Sequence, residues 1–232
     1  MNYQELCIKG LLGILNTKGK IDYNNPGTKY MISNGMIGPF AETYYIKETN
    51  KTFKFFETIT FNKFKGLKVY DYILSSEKGH NLCEEIYNEA SHKDRKKKNK
   101  NVPFYEHIEP KIVTYKKLQK LNMPTENEIK NVMCRSRLVL LTYEEKDLLD
   151  KETFIKEDLD ILKSWLDKNL ISEDDYNFNL NIVDKTCKSN GNSFARIAHL
   201  KNKGINFYIN GILARDEDII EYLKNKNMDY SI

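Results

Sequence analysis

Residues 193–218 read SFARIAHLKNKGINFYINGILARDED, and no other run in the chain fixes so much local structure. Phe194, Ile197, Ala198 and Leu200 share one side of a helix expected over Ser193 to Lys203, and Gly204 stops it. Two short apolar runs, INFYI and ILAR, then flank Asn210-Gly211. Both residues of that pair tolerate positive φ, so they favour a type I′ turn and a two-residue hairpin. Asp216 is expected to cap a last helix carrying Ile219, Ile220 and Leu223. The C-terminal quarter therefore reads helix, hairpin, helix.

The opposite side of the first of these helices carries Ser193, Arg196, His199 and Lys203, at spacings of three, three and four. A helix that enters the major groove of DNA needs this division. Packing fixes its inner face, and its outer face offers donors to bases and phosphates. Arg196 is the strongest candidate, because a guanidinium fork can hold guanine or a phosphate bidentately. Lys201, Lys203 and Arg215 would lie near the base of the hairpin as phosphate contacts.

The run FARIAHLKNKGINF resembles the end of bacterial and phage winged helix-turn-helix domains, in which a recognition helix of the form x-x-R-I-x-x-L-x-x-x-G-I leads into the first strand of the wing. The resemblance covers Lys156 to Arg215 and implies nucleic-acid binding through the recognition helix and wing. One departure stands out: the preceding helix, expected over Ser172 to Cys187, is longer than usual and carries Asp174, Asp175 and Asp184, which do not suit a DNA-facing surface. The plainer alternative is a helix, hairpin and helix with a solvated polar face, as in folds that use this geometry only to contact proteins.

Upstream, Asn2 with Glu5 resembles a capping box for a helix from about Tyr3 to Asn16, with Gly19 just beyond it. A turn-rich stretch, Asp22 to Gly27, precedes two strand-like segments, Ala41 to Lys47 and Thr52 to Phe61. The Glu48 to Lys51 connection makes these an antiparallel hairpin. Lys68 to Leu74 is a candidate third strand, and Leu82, Ile86 and Ala90 keep helical spacing. His92 to Asn101, HKDRKKKNKN, has no apolar residue and reads as an exposed linker. Its Lys93, Arg95, Lys96, Lys97 and Lys98 could hold phosphates by charge alone, although such runs are more often simply solvated.

Beyond the linker, Thr125 with Glu128 and Thr142 with Glu145 are N-cap signals, and Leu138 to Leu141 between them is strand-like. Ile155, Leu159, Leu162, Leu166 and Leu170 form a helical stripe beside Trp165. Ser172 caps the next helix, whose apolar positions are Tyr176, Leu180, Val183 and Cys187.

The chain's 232 residues carry 37 basic and 33 acidic side chains, a formal charge of +4 that suits a polyanionic partner without demanding one. Only five of the basic residues are arginine. The abundance of Lys, Asn, Ile and Tyr matches AT-rich codons, so part of the positive charge reflects the genome. Cys7, Cys83, Cys134 and Cys187 form no Cys-x-x-Cys pair and read as free thiols of a reducing compartment. No apolar run approaches the roughly 20 residues that span a bilayer, and no leader is visible.

Catalytic signatures are missing: there is no phosphate-cradling Gly-x-x-x-x-Gly-Lys-Ser/Thr, His-Glu-x-x-His, Gly-x-Ser-x-Gly or PD-x-D/E-x-K spacing. A nuclease would have to gather Glu42, Glu48, Glu57 and Asp71 around a metal without any such motif. His80, Cys83, His92 and His107 contain one permitted zinc pair but match no common finger. Tyr44, Tyr45, Phe53, Phe55 and Phe56 could stack bases, although aromatics on a strand are more often core.

The expected architecture is α+β. A small N-terminal α+β unit with an antiparallel hairpin or meander spans 1–91, a basic loop spans 92–103, and a mainly helical unit with a winged-helix-like end spans 104–232. The expected function is non-catalytic binding of nucleic acid, DNA favoured, in a phage, plasmid or AT-rich bacterium. The alternative is a structural or protein-interaction component, such as a virion protein or an inhibitor of a host protein. Neither a cofactor, a metal nor a membrane is expected, and the location is cytoplasmic or, for a structural protein, the virion.

Overall fold

The computed structural model describes residues 3–17, 22–46, 51–54, 70, 73–88 and 103–224. Helix α1 (Tyr3–Leu15) matches the first expected helix. The turn-rich stretch after it is the entry to another: Asn25 Oδ1 accepts from Gly27 N at 2.8 Å, and Pro26 opens α2 (Pro26–Ile32) at a position where its missing N–H costs nothing. One π-helical turn, Ser33–Ile37, joins α2 to α3 (Gly38–Glu42). Strands β1 (Thr43–Ile46) and β2 (Lys51–Lys54) pair antiparallel as expected, with Thr43 opposite Lys54, but Ala41 and Glu42 belong to α3, and Lys47 and residues 55–61 lie outside the described residues. Of the candidate strand Lys68 to Leu74, only Tyr70, Ile73 and Leu74 are described; the strand itself is the next two residues, β3 (Ser75–Ser76). Helix α4 (Glu77–Asn88) follows directly.

The remaining elements are β4 (Phe104–His107), α5 (Lys111–Lys120), α6 (Glu126–Met133), β5 (Leu138–Leu141), α7 (Tyr143–Lys151), α8 (Lys156–Asp167), α9 (Glu173–Leu180), α10 (Cys187–Asn190), α11 (Ser193–Asn202), β6 (Phe207–Ile209), β7 (Ile212–Leu213) and α12 (Asp216–Lys224). Both expected N-caps form as full capping boxes: Glu128 N donates to Thr125 Oγ1 at 3.3 Å, and Glu145 N to Thr142 Oγ1 at 3.2 Å.

A five-stranded sheet runs in the order β4-β5-β3-β6-β7. Strand β3 lies parallel to β5 and antiparallel to β6, with Ser75 opposite both Leu140 and Tyr208. The sheet thus joins one strand from before the basic stretch to four from after it. Strand β5 is LVLL with every residue buried, the continuous apolar run of a covered central strand. Gly79 lets α4 start against it, because a Cβ there would stand 2.9 Å from Leu140 O. The hairpin forms as expected, with Asn210 at φ 53° and Gly211 at φ 68°, the signature of a type I′ turn.

Two apolar cores hold the molecule. One gathers Phe154, Trp165, Phe194, Phe207 and Leu223 around α11 and the sheet; the other packs Leu11, Ile32, Ile37 and Phe40 against Tyr115, Leu118, Ile129 and Met133. Two sequence expectations fail here. The long helix Ser172 to Cys187 is instead α9, which ends at Leu180, followed by a turn and the short α10. Backbone pairing across to residues 153–154 interrupts it: Asp184 N donates to Phe154 O at 2.8 Å, Phe154 N donates to Lys185 O at 2.9 Å, and Asp184 takes φ 64°. Helix α11, expected to turn a polar face outward, is buried at every residue from Ser193 to Leu200.

Candidate polyanion-binding groove

Helix α11 is capped by Asn192, whose Oδ1 accepts from Ala195 N at 2.9 Å, and it ends in a Schellman motif at Gly204. There Ile205 N donates to Leu200 O at 3.1 Å and Gly204 N to Lys201 O at 2.9 Å, with Gly204 at φ 78°. Between these ends lie the residues expected to touch nucleic acid. Arg196 is 0 % exposed; its guanidinium donates to His107 O at 2.5 Å and to Glu106 Oε1 at 3.0 Å. His199 is also 0 % exposed and donates from Nδ1 to Asp158 Oδ2 at 2.9 Å. Ser193 is fully buried. Lys201 pairs with Asp216 at 2.7 Å, and Lys203 with Glu152 at 2.5 Å. Arg215 is exposed but grips Asp218 through Nε at 3.1 Å and Nη2 at 3.2 Å.

Of the recognition surface read from Ser193, Arg196, His199 and Lys203, the fold buries the first three and leaves Lys203 exposed beside Glu152. Arg196 and His199 share a face, as the spacing requires, but they turn it to β4 and α8 respectively. A buried charge persists in a protein only with partners of this kind. Although burial raises it, the Asp158 carboxyl lies below its usual range, held there by His199, Ile155 N and Asn202. Nearby, burial pushes the Cys187 thiol up to about 12 against the pull of Arg196. Lys93, Arg95, Lys96, Lys97 and Lys98 lie outside the described residues.

Charge without an internal partner occurs elsewhere. A cavity of about 510 Å³ opens between α5 and the segment from α9 to α10. Val113, Lys116, Lys117 and Lys120 line one wall at i, i+3, i+4 and i+7 of α5; Phe178 of α9 and Asn181, Ile182 and Lys185 of the turn after it line the other. Gln119 and Asn190 complete it, and the described lining contains no carboxylate. Lys117 is neutralised by the buried Glu109 at 2.6 Å, and its Nζ lies 5.6 Å from the Phe178 ring centre. Lys116 and Lys120 have no ion pair among the described residues. The wall formed by α9 is fixed from behind: Arg135 grips Asp175, whose carboxyl also accepts from Ser172 Oγ at 2.8 Å. Burial works to raise the Asp175 pKa, but the Arg135 pair brings it below the usual range.

A second cavity, about 290 Å³, shows the contrast. Glu77, Glu144 and Glu145 line it beside Lys78 and Lys203, a mixed lining that would repel a polyanion. Among the described residues no cluster of His, Cys, Asp or Glu could hold a metal ion, and no helix is long and apolar enough to cross a membrane. His80 instead stacks on Tyr208, with ring centres 5.7 Å apart. No family model, curated protein or solved structure matches this chain.

Sequence reading passed over Lys116, Lys120, Lys185 and Phe178. The available signal was the stripe Val113, Lys116, Lys117 and Lys120, which places three lysines on one helical face.

Proposed function

We infer that this protein binds nucleic acid without catalysis, through the groove between α5 and α9 rather than through α11. The supporting observation is the lining of that groove: Lys116 and Lys120 without a described ion pair, Lys185 whose Nζ donates, among the described residues, only to Asn181 O at 2.7 Å, amide side chains and a partly exposed phenylalanine, with no described carboxylate. Phosphate contacts of this kind supply most of the affinity for nucleic acid and make it salt-dependent. The winged-helix-like order of α11, β6, β7 and α12 serves in this reading as a scaffold, its central helix committed to the core.

The test is fluorescence anisotropy of labelled single-stranded and duplex DNA over a salt series. Replacing both Lys116 and Lys120 with alanine should flatten the slope of log affinity against log salt by about 1.4 for a single strand, at about 0.7 per lost contact. Wild-type protein that binds no strand even at low salt would overturn the reading.

One observation favours the alternative, a protein-interaction component. Ile212 and Leu213 are 69 % and 55 % exposed on β7, an edge strand of the sheet among the described residues. Exposed apolar side chains on an edge strand invite pairing with another chain. Concentration-dependent self-association abolished by Ile212→Lys, with no affinity for nucleic acid, would move the assignment there.

A further inference from the structure

We propose that the α5–α9 groove selects a single strand over a duplex by stacking one unpaired base on Phe178 while Lys116, Lys120 and Lys185 hold the flanking phosphates; this rests on the nucleic-acid reading above. Phe178 is 36 % exposed on the groove wall, where Lys117 Nζ lies 5.6 Å from its ring centre. It is nonetheless held in place. The next residue, Asn179, is fully buried and donates to Asp175 O at 2.6 Å, and Asp175 is bound to Arg135 and Ser172. An exposed aromatic ring on a rigid support beside lysines is the device by which single-strand binders hold bases without reading their sequence.

The dimensions agree with such a ligand. From Val113 to Lys120 the α5 wall runs about 10 Å at ~1.5 Å per residue, which limits the contact to a short stretch of strand. The cavity volume of about 510 Å³ suits bases and sugars entering singly. Asn181 and Asn190 donate from Nδ2 to Asn177 O and Thr186 O at 3.3 and 3.1 Å, and Gln119 Nε2 donates to Tyr23 O at 3.4 Å. Their amide oxygens remain as acceptors beside the base edge.

Anisotropy with a labelled oligothymidylate, an abasic deoxyribose-phosphate chain of equal length and a duplex tests this on the full chain. The oligothymidylate should bind about 5- to 150-fold more tightly than the abasic chain, the worth of one stacked base. Phe178→Ala should erase that ratio and leave the salt slope unchanged, whereas Phe178→Trp should preserve it. Substituting Lys116 and Lys120 should do the reverse, lowering the slope and keeping the ratio. Equal wild-type affinity for base-bearing and abasic chains would overturn stacking while leaving nucleic-acid binding intact. A mononucleotide that binds as tightly as the oligomer would overturn the assignment to a strand. Absence of binding by every strand would remove the underlying reading as well.

Discussion

Helix α11 and the α5–α9 groove both carry clustered basic residues, and they use them in opposite ways. Arg196, His199, Lys201 and Lys203 each meet an acid within the molecule: Glu106, Asp158, Asp216 and Glu152. Lys116 and Lys120 meet none among the described residues, and they share their groove with the partly exposed ring of Phe178. Helical spacing establishes that polar residues share a face. What that face meets depends on elements far away in the chain, so positive charge becomes a binding signal only after internal acids are accounted for.

The comparison breaks most visibly at Arg196. Arg196→Ala strands Glu106 and two backbone carbonyls at the β4 end and opens a void in the core. Breaking a buried pair costs about 3–5 kcal/mol. The lower figure is expected, because Glu106 keeps a fifth of its side chain exposed and can recover water. Thermal unfolding should fall by about 6–12 °C at ~2–4 °C per kcal/mol. Affinity of the folded variant for nucleic acid should match wild type. An unchanged melting temperature with lost affinity would restore α11 as the recognition helix.

Asp158 gives the next largest effect and adds a pH signature. Its carboxylate accepts from His199 Nδ1, Ile155 N and Asn202 Nδ2, and Asp158→Asn replaces one acceptor with a donor at a cost of about 1–3 kcal/mol. Its folded pKa lies below the unfolded value of about 3.9. The stabilisation is therefore complete above pH ~4 and is lost as pH falls through the folded value. Asp175 and Asp216 are shifted the same way, each against the effect of burial, by Arg135 and Lys201 respectively, and they share the acid limb. Urea midpoints between pH 2 and 7 should fall less steeply in the Asn variant. Identical slopes would mean that Asp158 keeps its ordinary pKa in the fold.

How much of this was legible follows the range of each interaction. The two capping boxes, the Asn210-Gly211 hairpin and the Gly204 stop are settled within a few residues, and all four form where the sequence places them. The environment of α11 is settled by Glu106, 90 residues away, and Asp158, 41 away, and no periodicity within the helix reports either. Val183 and Cys187 keep the helical spacing begun at Tyr176, yet the backbone of residues 184–185 bonds to Phe154, so the helix ends at Leu180. Ser75 and Ser76 show no strand pattern, because two residues between β5 and β6 are too few to alternate. The lysine stripe of α5 was legible as a stripe. Its significance needed the facing wall, which comes from α9 and the turn beyond it.

A smaller effect separates paired from unpaired surface charge. Lys203 lies partly exposed against Glu152, an arrangement that raises its pKa chiefly through that hydrogen bond. Exposed pairs contribute about 0.2–1 kcal/mol, so Lys203→Ala should lower stability by no more than that and leave affinity for a single strand unchanged. A loss of affinity would mean that Lys203 reaches the ligand despite its partner, and the division between the two regions would fail at the C-terminal end of α11.

The smallest expected effect on stability is the most useful one. Lys116 and Lys120 have no acid to strand among the described residues and are exposed, so their alanine variants should remain within about 0.5 kcal/mol of wild type in urea unfolding. Removing two like charges from one helical face can even stabilise α5 slightly, since lysines four apart repel. A gain in stability coupled to a loss of affinity would place these residues among those kept at some cost to the fold for what they bind. A clear loss of stability would instead give them an acidic partner within the molecule, and the groove would lose its distinction from α11.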